Sequence, residues 1–194
     1  LIGLPAGVQL FSLFEANPQL IDLLVDIVGT SPALSNHLSR NSHVFDSVIG
    51  NEFWGPFPVK ITLETQLKKL ISAESDYEQK LEAARKWKNE WHFRIGVHLL
   101  REISNIDETR AQYAVLSEVV VKVLWSEVIS KFSETHGKPP GNGVAILSMG
   151  SLGGKQLNST SDLDLVIIYD SENNETSVGS VSYTHLTLPT KVSV

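Results

Sequence analysis

Ten residues separate a Gly-Ser pair, Gly150-Ser151, from two aspartates spaced by one, Asp162 and Asp164, and apolar runs flank the segment at Val144–Leu147 and Leu165–Ile168. No other stretch of the chain restricts its fold as much. The layout predicts a strand, a glycine turn and a second strand. Side chains alternate across a strand, so Asp162 and Asp164 are expected on one face, with Leu163 and Leu165 on the other. Two carboxylates held side by side repel, by about 4 kcal/mol at ~4 Å with an effective dielectric of ~20. A divalent cation reverses the sign. Mg²⁺ takes oxygen ligands and is usually held by one or two carboxylates plus substrate phosphates. The simplest job for Asp162 and Asp164 is therefore to hold the metal of a metal-bound nucleoside triphosphate.

The glycine turn has a matching role. Backbone N–H groups of Gly150, Ser151, Gly153 and Gly154, with the Ser151 hydroxyl, are candidates to face phosphate oxygens. Lys155 is a candidate phosphate partner or a plain surface lysine. Ser161 orients the aspartate loop or simply caps a turn. A solvated strand face or an Asx-turn pair would also account for the aspartates, but the glycine turn upstream at this distance favours the metal. A P-loop is the obvious competitor for Gly-Gly-Lys. It requires glycine where Met149 stands and Ser or Thr where Gln156 stands, so both requirements fail.

Other chemistry-bearing residues read as structural. His37, His43, His92, His98, His136 and His185 show no metal-ligand spacing. Trp87 and Trp91 lie one helical turn apart and suit core packing better than base stacking. Arg94 and Arg101 fall at the margin of an apolar stripe and read as solvated, with a contact to nucleotide or partner left open.

The period of the apolar pattern divides the chain. Asn17-Pro18 starts a helix carrying Leu20, Leu23, Leu24 and Ile27, expected to end at Gly29. Ser31-Pro32 starts the next, and Asn41 or Ser42 caps a short one through Val44, Phe45 and Val48. Residues 50–58 read as a loop and 62–71 as a helix. Two long helices follow. One spans about 75–104 with Leu81, Ala84, Trp91, Ile95, Leu99 and Ile103 on one stripe. The other spans about 107–133 with Leu116, Val120, Val123, Leu124 and Val128. The Pro/Gly-rich stretch 136–143 is the expected boundary between a helical module (1–136) and a strand-bearing one (137–179). The fold class expected is thus α+β.

A net charge of −6 argues against a broad nucleic-acid footprint, which needs a basic face, though not against one bound nucleotide. With no cysteine, disulfide and thiolate chemistry are absent. No apolar run reaches the ~20 residues of a membrane span, and no basic n-region marks a signal peptide. These features fit a cytoplasmic location. The chain starts at Leu1 without Met, which suggests a piece of a longer protein.

The Gly-Ser turn followed by Asp-x-Asp resembles the nucleotidyltransferase signature. The longer string from Met149 to Tyr169, with Gly-Ser-Leu-Gly-Gly-Lys-Gln-Leu-Asn and then Ser-Asp-Leu-Asp-Leu, resembles the glutamine synthetase adenylyltransferase family. Asn17-Pro-Gln-Leu-Ile-Asp-Leu-Leu, Ser31-Pro-Ala-Leu-Ser-Asn-His-Leu, Val44-Phe-Asp-Ser-Val-Ile and Phe93-Arg-Ile-Gly-Val-His-Leu-Leu extend the resemblance over about residues 9–170. It implies a helical lead-in followed by the opening strands of a polymerase-β-like nucleotidyltransferase fold. It also implies a cytoplasmic bacterial enzyme of two homologous halves. One transfers AMP from ATP to a tyrosine of glutamine synthetase; the other removes it by phosphorolysis. Regulation by a PII-type signalling protein comes with the family. The lead-in at Asn17-Pro18 resembles the segment before the adenylylating half, with the deadenylylating half as the alternative.

In the implied mechanism Asp162 and Asp164 hold Mg²⁺. A third carboxylate from a later strand is usual, but Asp170, Glu172 and Glu175 follow too closely to supply it, and the family's later acidic, arginine-rich segment has no match here. The expectation is an incomplete site and a short chain with little activity alone. Another metal-dependent nucleotidyltransferase is a further reading, against which the helical front half argues. A non-catalytic binding module is another, against which the intact aspartates argue. The last stretch, 180–194, does not continue the pattern and is expected to be a non-native tail resembling translated sequencing-adapter DNA.

Overall fold

The computed structural model describes residues 14, 15, 17–139 and 143–170. The expected non-native tail lies outside the described residues. Helix α1 (Gln19–Thr30) starts where Asn17-Pro18 was expected to start it, with the Asn17 and Pro18 carbonyls accepting from Leu20 and Ile21 at 3.0 Å. It runs through Gly29 and stops one residue later. There the Thr30 hydroxyl donates to the Asp26 carbonyl at 2.6 Å. Helix α2 (Pro32–Arg40) carries proline in its first turn, and the Ser31 hydroxyl accepts from the Leu34 N–H.

Two 3₁₀ segments, Ser42–Ile49 and Asn51–Trp54, fold the chain back. Helix α3 (Lys60–Ser72) follows. Helix α4 (Tyr77–Leu100) is capped by the Asp76 carboxylate, which accepts from Glu78 and Gln79. Helix α5 (Ile106–His136) opens with a reciprocal capping box. Asn105 Oδ1 accepts from the Glu108 N–H at 2.9 Å, and Glu108 Oε2 accepts from the Asn105 N–H at 3.0 Å.

Two apolar clusters form the core, and α4 belongs to both. Leu20, Leu23 and Ile27 of α1, Leu34 and Leu38 of α2, and Val44, Phe45, Val48 and Phe53 close on Phe93 and Val97. On its other side α4 presents Ala84, Trp87 and Ile95 to Leu63, Leu67 and Ile71 of α3 and Leu116, Val119 and Val123 of α5. The expected single stripe on this helix is therefore corrected. The helix ends at Leu100, Ile103 is exposed, and Phe93 and Val97 are as buried as the predicted face. A helix sandwiched between two layers needs apolar residues around most of its circumference, which blurs a one-sided pattern.

Of the two arginines read as solvated, Arg101 is exposed and Arg94 is corrected. Arg94 folds over the Trp91 ring, 4.6 Å from its centroid, and donates to the Gly55 carbonyl at 2.8 Å. Arg101 pairs with Asp26 of α1 at 3.0 Å. Trp87 is buried and meets Trp91 edge-on, as core packing requires.

Both apolar runs of the strand-bearing part form strands. β1 (Gly143–Ser148) and β2 (Leu165–Asp170) pair antiparallel, from Gly143 opposite Asp170 to Ser148 opposite Leu165. With five long helices and this sheet, the described residues are α+β. Apolar residues are exposed on both faces of the pair, Val144, Leu165 and Ile167 on one and Leu147, Val166 and Ile168 on the other. Among the described residues no helix is long and apolar enough to cross a membrane.

Candidate functional site at the turn between the strands

The connection from β1 to β2 carries the candidate metal- and nucleotide-binding residues Gly150, Ser151, Gly153, Gly154, Lys155, Ser161, Asp162 and Asp164. Its second residue, Gly150, has φ +52, in the left-handed region that favours glycine. Instead of a simple turn, Gly150–Gly153 makes one helical turn, with Gly153 and Gly154 donating to the Met149 and Gly150 carbonyls at 2.9 and 3.1 Å. A Cβ on Gly153 would sit 2.5 Å from the Ser148 carbonyl oxygen, so the turn folds directly onto the end of β1.

Leu152 and Leu157 point down from this turn into the α3–α5 core, at 1% and 2% exposure. They fasten the strand pair to the helices. Gly153, Gly154 and Lys155 stay on the surface. Lys155 has φ 53, a left-handed conformation uncommon for a residue with a side chain.

The chain then closes a small polar turn. The Asn158 side-chain oxygen accepts from the Thr160 N–H at 2.8 Å, and the Ser161 hydroxyl accepts from the Asn158 N–H at 3.1 Å. Ser161 thus does what its turn-capping reading predicts. Residues 161–164 are not strand, and β2 begins at Leu165. This corrects the expectation that strand alternation places Asp162 and Asp164. The polar turn occupies the chain up to Ser161, and only the Asp164 carbonyl reaches back, accepting from the Met149 N–H at 2.8 Å.

That bond carries Asp164 alongside the start of the glycine turn. Its carboxylate lies in the space a Cβ of residue 150 would fill. Asp162 and Asp164 are both exposed. The Asp164 carboxylate beside Gly150 and the Asp162 carboxylate two residues earlier in the chain offer oxygen donors alone. Such a set fits Mg²⁺ rather than a thiophilic or imidazole-seeking metal. Among the described residues no group of three or more His, Cys, Asp or Glu gathers to hold a metal, at this turn or elsewhere.

Beside the turn, a cleft of about 350 Å³ opens between β1 and α5, with Lys60, Lys122, Trp125, Ser148 and Leu165 among its walls. Both lysines already have carboxylates. Lys60 Nζ is 2.6 Å from Glu118, and Lys122 holds both oxygens of the buried Glu64 at 2.8 and 2.9 Å. The Lys122 hydrogen bonds keep the Glu64 carboxyl below its ordinary range, against the opposing effect of burial. A larger groove of about 650 Å³ runs past Glu74, Glu78, Glu82 and Trp87, where the acidic walls repel a triphosphate.

Sequence reasoning missed one neighbour of the site. His92 of α4 lies 3.1 Å from the Ser159 carbonyl oxygen, inside the loop that leads to Asp162. Sixty-seven residues separate the pair, and neither has a local pattern that announces the contact.

The family model described as glutamate-ammonia ligase adenylyltransferase matches residues 21–186. A bifunctional glutamine synthetase adenylyltransferase/adenylyl-removing enzyme of Brucella suis is 37% identical over 168 residues, which is 87% of this chain and 17% of that protein. Proteins of the same description from Mesorhizobium japonicum and Bartonella quintana are 36% and 35% identical, over 88% and 87% of this chain. The chain spans 17% of the length of each of these relatives.

Proposed function

Because this chain belongs to the glutamate-ammonia ligase adenylyltransferase family, we propose that it supplies the nucleotide-binding turn and two metal-ligating carboxylates of a site that moves AMP between ATP and glutamine synthetase. The observation that carries the reading is the seat of the Asp164 carboxylate against Gly150, at the start of the glycine turn. This contact brings the two halves of the Gly-Ser/Asp-x-Asp pattern together across ten intervening residues.

In this proposal Asp162 and Asp164 hold Mg²⁺, which supplies charge neutralisation at the phosphates and at the leaving and attacking oxygens. Gly150 and Ser151 offer N–H groups to phosphate oxygens, Gly153 and Gly154, whose own N–H groups close the helical turn, keep its surface free of side chains, and the exposed Lys155 adds a positive charge. Ser161 keeps the aspartate loop closed. The acceptor is a tyrosine hydroxyl of glutamine synthetase, and a PII-type protein regulates the reaction. The nucleotidyltransferase fold is the proposed frame, with the segment 137–179 at its start and 1–136 as a helical lead-in. The lead-in at Asn17-Pro18 favours the adenylylating direction. The location is the cytoplasm, and neither nucleic acid nor a membrane is a partner.

The test places this segment in a full-length relative in place of its own counterpart and measures labelled AMP transfer from ATP to glutamine synthetase. Asp162→Asn and Asp164→Asn keep the side-chain shape and remove the charge. Each should abolish Mg²⁺-dependent transfer while the protein stays folded. Full transfer by either variant would contradict the metal-ligand role. Release of ADP from adenylylated glutamine synthetase and phosphate, without forward transfer, would reassign the segment to the removing half.

A further inference from the structure

We propose that His92 is a positioning residue: its Nε2–H, donated from the long helix α4 to the Ser159 carbonyl, sets the loop that presents Asp162 and Asp164. A carbonyl oxygen is only an acceptor, so the 3.1 Å contact requires the proton on Nε2 of His92. The imidazole is held from both sides. His37 of α2 stacks on it with ring centroids 4.6 Å apart and planes 22° apart, and Tyr113 of α5 packs at 4.9 Å.

His37 is itself fixed. Its Nε2 donates to the Asn89 carbonyl at 3.1 Å. The Asn89 amide donates to Asn41 Oδ1 at 2.7 Å, and the Asn41 amide returns to the His37 carbonyl at 3.0 Å. The ring of His92 therefore has one orientation, set by three helices, and its one described hydrogen bond falls on the aspartate loop. Between the buried Leu157 and the Met149–Asp164 bond, the other described hydrogen bonds of this loop are internal to Asn158–Ser161. His92 is thus the polar tether from the helices to the loop. Burial and the neighbouring His37 and Lys88 keep the ring neutral, its pKa lowered to about 3.

The hold on the loop is independent of the proposed function; its consequence for Mg²⁺·ATP affinity rests on that reading. Hydrogen exchange of the 194-residue chain reads the first, and Mg²⁺·ATP titration reads the second. His92→Phe keeps the stacking and removes the donor. Exchange at the Asn158, Thr160 and Ser161 amides should rise about five-fold, the factor that one hydrogen bond of ordinary net strength represents. The Leu116–Val123 amides of α5 should not change. His92→Gln offers a side-chain N–H and should restore most of the loop protection.

Unchanged loop exchange in His92→Phe, or an equal rise in α5, would overturn the proposal. Should the variants fail to fold, imidazole ¹⁵N shifts of the unsubstituted chain decide it. A proton on Nε2 at neutral pH is required, and a proton on Nδ1 alone refutes it. With loop exchange raised as expected, weaker Mg²⁺·ATP binding by His92→Phe supports the positioning role. No Mg²⁺·ATP binding by the unsubstituted chain would count against the function proposed above and leave the tether standing.

Discussion

Replacing each of three glycines in the turn by alanine should separate the site from the fold, because each added methyl meets something different. At Gly150 the methyl enters the space of the Asp164 carboxylate, and the residue must hold φ +52. A left-handed conformation costs an alanine about 1–2 kcal/mol. The carboxylate is on an exposed side chain and moves aside. At Gly153 the methyl meets the Ser148 carbonyl oxygen at 2.5 Å, and backbone at the end of β1 cannot step away without disturbing the strand pair. Overpacking of this kind costs roughly 1–3 kcal/mol.

At Gly154 the nearest atom is at 3.5 Å, and the backbone is right-handed at φ −79, ψ −1. Alanine there fits, and gains about 0.4–1 kcal/mol by restricting the unfolded chain. Thermal unfolding and titration with Mg²⁺·ATP read both effects. At about 2–4 °C per kcal/mol for a chain of this size, Gly154→Ala should be neutral or rise by a few degrees and bind normally. Gly153→Ala should lose stability. Gly150→Ala should lose a few degrees and most of its Mg²⁺ affinity, since the carboxylate it displaces is a proposed ligand. Normal binding and stability in Gly150→Ala would refute the contact between the glycine turn and Asp164.

Two further outcomes follow from the packing. Leu152→Ala removes a side chain buried to 1% in the α3–α5 core, a loss of about 2–5 kcal/mol; hydrogen exchange should rise in both strands and stay slow in α4 and α5, and unchanged strand exchange would show that Leu152 is not the anchor. Acid should destabilise the fold through its buried imidazoles. The folded pKa of His92 is about 3 against an ordinary 6.5, and burial also lowers those of His37 and His98. The unfolded chain then binds more protons below pH 6.5, so stability is complete above that pH and falls as pH drops towards 3. For His92 alone, at 1.36 kcal/mol per pH unit, the loss at pH 5 is roughly 2 kcal/mol. Denaturant unfolding of His92→Gln should show a smaller drop between pH 7.5 and pH 5 than the parent chain, and equal drops would contradict the neutral buried ring.

The parts legible in the sequence were those written locally. Asn17-Pro18 and Ser31-Pro32 mark helix starts, the proline by its fixed backbone angle and Ser31 by a hydroxyl that accepts from the Leu34 N–H, whereas the Asn105–Glu108 capping box was not read from the sequence. The runs 144–147 and 165–168 mark strands by apolar residues between turn residues. What sequence could not carry depends on residues far apart. The two-sided burial of α4 is set by which layers cover it. The inward turn of Arg94 depends on the Gly55 carbonyl, 39 positions away. Leu152 and Leu157 look like ordinary apolar residues of a loop, yet they dock the site. Asp162 and Asp164 stand out in the sequence by their spacing, but strand alternation does not place them, because a polar turn and not a strand precedes β2.

In the proposed site a divalent cation binds at Asp162 and Asp164, beside the Gly150-Ser151 turn against which the Asp164 carboxylate lies. Titrating the isotope-labelled chain with Mn²⁺ in the presence of ATP tests it directly, because the paramagnetic ion broadens the amide signals nearest to it. Signals of Gly150, Ser151 and residues 162–165 should broaden first, Mg²⁺ should reverse the effect by competition, and Asp162→Asn should weaken it. Broadening centred on Glu78 and Glu82 of the acidic groove, or none at the turn, would contradict the account.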